Sequence, residues 1–381
     1  MKHTRLARRR LARRAAGCCA TALALISALA VPMLPAHAAG FLPDESAPHE
    51  ATWLQWPHHY QYGRVYRNRI ESTWIEMTAA LVTSERVRII AYDQREKRRI
   101  LRRLREAGIP LSQIDFLIAK TNDTWVRDNG PLFVFNDTDD QLQATDWGFN
   151  GWGLDAPFRL DDVVPITVAS SLGIPRVDLS EVVLEGGAIE VDGRGTLMAT
   201  RSSILEPDRN PTLTQTDVEA ALSEAFGIRN FIWLDGQAGG QVDITDTHID
   251  GLARFADPHT IVTMKAADLV YYGLTAEDAV RLLAATDAEG EPYRIVQLPL
   301  SANDVITEWG YDLGFKGSYV NFYTANSVVL MPTYGDPNDA VARDILQSAY
   351  PNREVIGVDV RNLYLYGGMV HCVTQQQPVV E

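Results

Sequence analysis

Cysteine is scarce in this chain. Three occur in 381 residues, and two of them, Cys18 and Cys19, stand side by side near the start. Downstream only Cys372 remains, so no disulfide can tie that part of the chain to itself. Other signatures are missing too. There is no His-Glu-x-x-His, no paired-cysteine spacing, no Walker loop, no Gly-x-Ser-x-Gly elbow, and no Gly-x-Gly-x-x-Gly opening a helix after a strand. Those absences set aside the common zinc, nucleotide, dinucleotide and serine-hydrolase readings. His248, Asp250, Asp246 and Asp243 could supply metal ligands, but nothing in their spacing calls for a metal. Neither metal nor organic cofactor is expected. Low-complexity tracts and Pro/Ser-rich linkers are also lacking, which favours a single domain.

Basic residues are unevenly spread. Seven of the 35 lie within residues 1–14. An Ala/Leu-rich run follows to Leu34, and Ala36-His37-Ala38-Ala39 gives a small-residue cleavage pattern. This is the layout of a secretory signal peptide over residues 1–38, with residues 39–381 as the mature domain. A membrane anchor fits less well, because Pro32 and Pro35 interrupt the run. Cys18 precedes the apolar stretch and so does not suit lipidation. The clustered arginines would suit twin-arginine export. Without the leading segment, 28 basic residues face 49 acidic ones, a formal charge of −21 instead of −14. Such a surface repels nucleic acid and attracts small cations. A periplasmic or extracellular protein follows, with no membrane partner after cleavage and no bar to a homo-oligomer. In an exported chain cysteines usually pair. The lone Cys372 is therefore an inert buried thiol, an intermolecular link or a nucleophile.

Strand and helix patterns alternate. Apolar spacings of three or four predict helices over 68–81, 95–107, 216–226, 275–284 and 339–349. Thr216 with Glu219 reads as a capping box, and the basic run within 95–107 as a solvated helix face. Short β-rich runs occur at 87–90, 132–135, 197–200, 260–263 and 328–331. The alternation places the chain in the α/β class. Glycines precede strand-like runs at Gly130, Gly186-Gly187, Gly239-Gly240, Gly317 and Gly367-Gly368, with first-glycine spacings of 56, 53, 78 and 50 residues. Repeats of that size suggest a propeller or solenoid, against chance alignment of 27 glycines. The tail Gln375-Gln376-Gln377-Pro378 is expected to follow the last strand.

Four polar segments lie beside these glycines: Trp125 to Gly130, Glu185-Gly186-Gly187, Asp246 to Gly251, and Gly367 to Cys372. On an alternating strand His248 and Asp250 would share one side. Each has an ordinary structural explanation. His248 could be a satisfied core histidine, and Asp128 could cap a turn or pair with Arg127. Their joint occurrence with one thiol points to a site.

The motifs themselves resemble agmatine deiminases. Pro48 to Pro57 is similar to that family's opening motif, and Trp125-Val126-Arg127-Asp128 to its Trp-x-Arg-Asp. Phe149-Asn150-Gly151-Trp152-Gly153, Glu185-Gly186-Gly187, Asp246 to Asp250, Ser318 to Tyr323 and His371-Cys372-Val373-Thr374-Gln375-Gln376 match further segments. The likeness runs from about Leu42 to Gln377. The wider group takes in bacterial peptidyl-arginine deiminases and the guanidine-modifying enzymes. The resemblance implies a five-bladed α/β propeller, which the glycine modules would fit. It implies a small cationic guanidinium substrate, deiminated through a covalent amidino-cysteine.

In that scheme Cys372 is the nucleophile, and Asp128 and Asp250 clamp the planar guanidinium. His248 protonates the departing ammonia and then activates water. Trp125 and Trp152 either stack on the substrate or simply pack. Glu185 orients the clamp or braces its glycine turn, and Asn321 lies near the thiol. Agmatine is the first substrate to consider and arginine in peptides the second. An amine end calls for acids or aromatics, a carboxylate end for arginines such as Arg159. A guanidine-binding envelope protein and an amidinotransferase are the remaining alternatives. Two features depart from the family. Its agmatine enzymes are usually cytoplasmic, whereas this chain carries an export signal. Before the thiol the chain reads Gly367-Gly368-Met369-Val370-His371, where the family often has a third glycine and Asn-Ile.

Overall fold

A computed structural model describes residues 40–138, 140–237 and 243–380. The expected signal segment and the Gly239-Gly240-Gln241-Val242 module lie outside these residues. The architecture is mixed α/β, and His37–Glu381 forms one compact unit. Five sheets among the described residues share a pattern in which an antiparallel pair is extended by a parallel strand. Their outermost parallel pairs are Leu142–Gly148 with Arg176–Val183, Thr196–Thr200 with Asn230–Leu234, and Thr260–Met264 with Arg294–Leu298. The other two sheets have Val328–Thr333 with Glu354–Asp359, and Arg86–Ala91 with Ile114–Ile118, the latter sheet also pairing His49–Gln55 parallel to Arg86–Ala91. Helices lie in each connection, because parallel neighbours need a crossover. A separate hairpin joins Leu300–Ile306 to Asp312–Ser318.

Each expected helix is present. Gly63–Leu81 buries Ile70, Trp74, Met77 and Leu81, the stripe that the spacing picked out. The Trp74 indole donates to the Gln55 carbonyl at 3.0 Å, fixing the helix to its sheet. In the basic helix Gln94–Glu106, Asp93 caps the start by accepting from the Glu96 amide. The run is not simply a solvated face: Arg99 and Arg103 reach across to Glu71 of the neighbouring helix. The capping box on Gln215–Phe226 is formed by Thr214 with Asp217, two residues earlier than expected. Apolar periodicity marks a helix face but not its first turn. Nor do Gln375–Pro378 trail the last strand; they are the last strand, paired antiparallel with His49–Gln55. Gly317 sits inside Asp312–Ser318 instead of ahead of a strand.

A charged cluster is buried among the sheets. Arg254 meets Glu45 at 2.8 Å and also bonds Glu190 and the Phe322 carbonyl. Arg127 meets Glu45 at 3.1 Å, so it does not pair with Asp128. Arginine and the histidine His371 hold the Glu45 carboxyl well below its usual range although burial opposes this. Removing one partner would leave buried carboxylates uncompensated. Arg254→Met is expected to lower stability by about 3–5 kcal/mol. Urea unfolding checks this, and an unchanged midpoint would contradict it.

Candidate active site

Cys372 lies in a single 3-10 turn, His371–Val373, directly before the final strand. The turn is fixed from behind. The His371 amide donates to the Asn321 side-chain oxygen at 3.0 Å, and the Thr374 hydroxyl donates to the Val370 carbonyl at 3.2 Å. The thiol is half-buried, with Sγ 3.4 Å from Asn321 Oδ1 and 3.8 Å from Asp250 Oδ2. Burial pushes the thiol well up, and the charges of Asp250 and Asp128 push the same way. At rest the sulfur keeps its proton. Only an added positive charge would release it.

Asp128 stands on the one-turn helix Val126–Asn129. Its Oδ1 accepts the Gly187 amide at 3.0 Å, and its Oδ2 accepts the Trp152 indole N–H at 3.0 Å. Burial raises its carboxyl to about 6 despite the neighbouring His248. Trp152 itself has a left-handed backbone, φ 56 and ψ 55. That conformation is costly for a bulky residue, so its presence beside the site is informative. Its ring packs edge-on against Phe149 while its N–H serves Asp128.

His248 and Asp250 flank the start of the 3-10 turn Ile249–Gly251, not an alternating strand. The turn nonetheless aims both into the site. His248 Nδ1 is 3.6 Å from Asp128, and Nε2 is 2.9 Å from Glu185. Burial alone would lower the imidazole, but Asp128 and Glu185 override it and raise it to about 9. Glu185 therefore holds His248 from behind, and is itself held at 3.0 Å by the buried Arg209. Asp250 Oδ2 is bonded by His371 Nδ1 at 2.8 Å, and His371 Nε2 meets Glu45 at 2.9 Å. Although burial opposes it, His371 keeps the Asp250 carboxyl below its usual range.

Gly187 marks the meeting point. A Cβ there would stand 2.7 Å from His248 Nδ1, 2.8 Å from Asp128 Oδ1 and 3.1 Å from Asp250 Oδ2. Glycine is required here for space. Gly187→Ala is expected to cut kcat/KM for a guanidine substrate at least about a hundredfold, since displacements near an ångström cost that much. Ammonia release measures it, and wild-type kinetics would refute the convergence.

The thiol faces two cavities of about 410 and 330 Å³. The first holds Trp125, Asp128 and Trp152; the second holds His248, Asp250 and Asn321. The eight residues expected from sequence thus gather here, with Glu185 one layer back. His371 and Arg209 were not singled out. His371 lies beside the nucleophile in sequence, but its role as a bridge between two carboxylates depends on residues over a hundred positions away. Arg209 carries no local pattern at all. Among the described residues no group of three His, Cys, Asp or Glu side chains is placed to hold a metal ion.

Two carboxylates, an imidazole and a thiol about a small cavity suit a planar cation attacked by sulfur. Comparison with known proteins agrees in kind. Residues 41–378 match the model of the Porphyromonas-type peptidyl-arginine deiminases. An agmatine deiminase of Pseudomonas aeruginosa is 34% identical over 367 residues, covering 90% of this chain and 96% of its own. The Enterococcus faecalis agmatine deiminase structure superposes with a TM-score of 0.78 at 28% identity, covering 89% of this chain and 96% of its own. A cysteine-to-serine variant of the C. jejuni agmatine deiminase, solved with substrate bound, gives 0.75 at 28% identity, covering 90% and 96%.

Proposed function

The chain belongs to the Porphyromonas-type peptidyl-arginine deiminase family, and from that premise we propose that it hydrolyses agmatine to N-carbamoylputrescine and ammonia. It is a C–N hydrolase of the deiminase kind. The observation that carries the substrate class is the convergence of Asp128, Asp250 and His248 in front of Gly187, with Cys372 beside them.

The guanidinium seats between Asp128 and Asp250, whose oxygens accept its N–H groups. Its charge favours loss of the thiol proton to solvent. Sulfur attacks the central carbon, forming a C–S bond and a tetrahedral adduct. His248, in its protonated form, gives its proton to one nitrogen, and the C–N bond breaks with release of ammonia. Neutral His248 then takes a proton from water, and the hydroxide adds to the amidino-cysteine carbon. The C–S bond breaks as the hydroxyl proton passes to solvent, returning the thiolate and leaving the neutral ureido product. Trp125 and Trp152 wall the cavity, Glu185 fixes the imidazole, and Asn321 bonds the thiol. No cofactor takes part.

Arginine in peptides is the second reading, and the family's description favours it. The cavity supports agmatine better. Among the described residues its lining holds Asp123, Asp128 and aromatic rings but no arginine or lysine, and Arg159 is exposed and not part of that lining. The test is ammonia release from agmatine, free arginine and a peptide ending in arginine, assayed side by side. Preference for the peptide would overturn the agmatine reading.

The remaining parts of the proposal concern form and place. The five like-patterned sheets are the blades of a propeller, closed by pairing of the last strand with His49–Gln55. Residues 1–38 are a signal peptide and residues 39–381 the exported catalytic domain. The acidic mature chain would draw small cations, not nucleic acid or membrane, and tolerates self-association.

A further inference from the structure

Asp123 is the carboxylate of the larger cavity that the chemistry above leaves unused. It is 8% exposed and lines the same space as Asp128 and Cys372. Its donors are neutral. The Tyr66 hydroxyl reaches Oδ1 at 2.5 Å, and the Tyr62 hydroxyl and Trp125 side chain also bond the carboxyl. Behind it, Asp161 accepts the Asn122 amide at 2.8 Å and the Asp123 amide at 3.1 Å. Among the described residues no Lys, Arg or His lines the cavity. Arg69, outside that lining, lies 4.0 Å over the Trp309 ring and bonds the Tyr366 hydroxyl at 3.4 Å. Burial raises the Asp123 carboxyl to about 6, so at neutral pH it is largely a buried charge without a counter-ion. A ligand cation there would be bound with little competition from water.

Trp125 links this carboxyl to the nucleophile. Its indole side bonds Asp123, while its benzo edge presses on the turn before the thiol. A Cβ on Gly368 would stand only 2.3 Å from its Cζ3. Tyr66 meets Tyr366 edge-on at 4.8 Å, and Tyr62 meets Tyr66 at 5.1 Å. The cavity thus has carboxylates at two places, Asp128 and Asp123, with an aromatic wall running between them.

We infer that Asp123, caged by Tyr62, Tyr66 and Trp125, captures the terminal ammonium of a short α,ω-guanidino-amine while Asp128 takes its guanidinium. This rests on the agmatine reading above and deepens it. The alkyl chain lies along Trp125. A substrate with a carboxylate at that end is repelled by Asp123, so the residue sets specificity against arginine.

The decisive comparison is agmatine with n-butylguanidine, which has the same alkyl chain and guanidinium but no amine. Wild-type kcat/KM is expected to favour agmatine about a hundredfold, and Asp123→Asn to bring the two within about threefold. Should wild type use both equally, or Asp123→Asn keep the preference, the subsite is overturned while deimination of agmatine stands. Should wild type act on peptide arginine and on neither small guanidine, the agmatine reading itself fails. If Asp123→Asn does not fold, equal use of the two substrates by wild type still overturns the subsite.

Discussion

Cys372→Ala is expected to release no measurable ammonia from agmatine, a loss of at least about 10⁴-fold, with an unchanged unfolding temperature. The chemistry explains the size. Guanidinium carbon resists attack because its charge is shared over three nitrogens, and water is too weak a nucleophile to replace a thiolate. No other cysteine exists beyond Cys19 to substitute for it. The fold should not notice the change, because the side chain is small and half-buried and its turn is held by main-chain and Asn321 bonds. Cys372→Ser keeps the volume and the contact with Asn321, yet its hydroxyl ionises far less readily, so it should be similarly inactive. Wild type quenched during turnover should carry an adduct on Cys372 equal to substrate less ammonia, detected by mass spectrometry. Neither variant should carry one. Turnover by Cys372→Ala at the wild-type rate would remove the thiol from the mechanism.

How far the sequence reached differs from residue to residue. Trp74 and Ile70 were legible because a buried helix stripe repeats every three or four residues, and nothing distant alters that. Cys372 was legible because it stands alone. His248 and Asp250 were found for a partly wrong reason: they share a site through a 3-10 turn, not through strand alternation. Such a turn has no period for a pattern to detect. The ordering of charges was out of reach. Arg127 looked like the partner of Asp128, its sequence neighbour, but is drawn to Glu45, 82 residues away. Glu185 lies behind His248 and not against the substrate, a distinction made only by packing. The closing strand Gln375–Pro378 was missed because three glutamines carry little strand propensity. Its pairing with His49–Gln55 decides the matter.

Turnover at saturating agmatine is expected to be bell-shaped in pH, and His248→Ala to be slower by about 10³-fold. Two groups set the limbs. Asp128 must be ionised to hold a cation, and burial places its carboxyl at about 6 in the free site. Below that pH it gains a proton and the clamp is lost, so the rate falls with acid. His248 must carry a proton to expel ammonia, and Asp128 and Glu185 together raise it to about 9 against the effect of burial. Above that pH the imidazole is neutral and the rate falls with base. A bound guanidinium stabilises the Asp128 carboxylate and weakens the hold of His248 on its proton. Both limbs of kcat therefore lie at or below about 6 and about 9. Asp128→Asn should raise KM steeply and lose the acidic limb, because an amide has no proton to gain there. His248→Ala should lose the basic limb. If thiol ionisation governed the rate, the opposite would be seen at high pH, since burial and two carboxylates push Cys372 upward. A kcat still climbing above pH of about 10 would assign control to the sulfur and remove His248 as the acid.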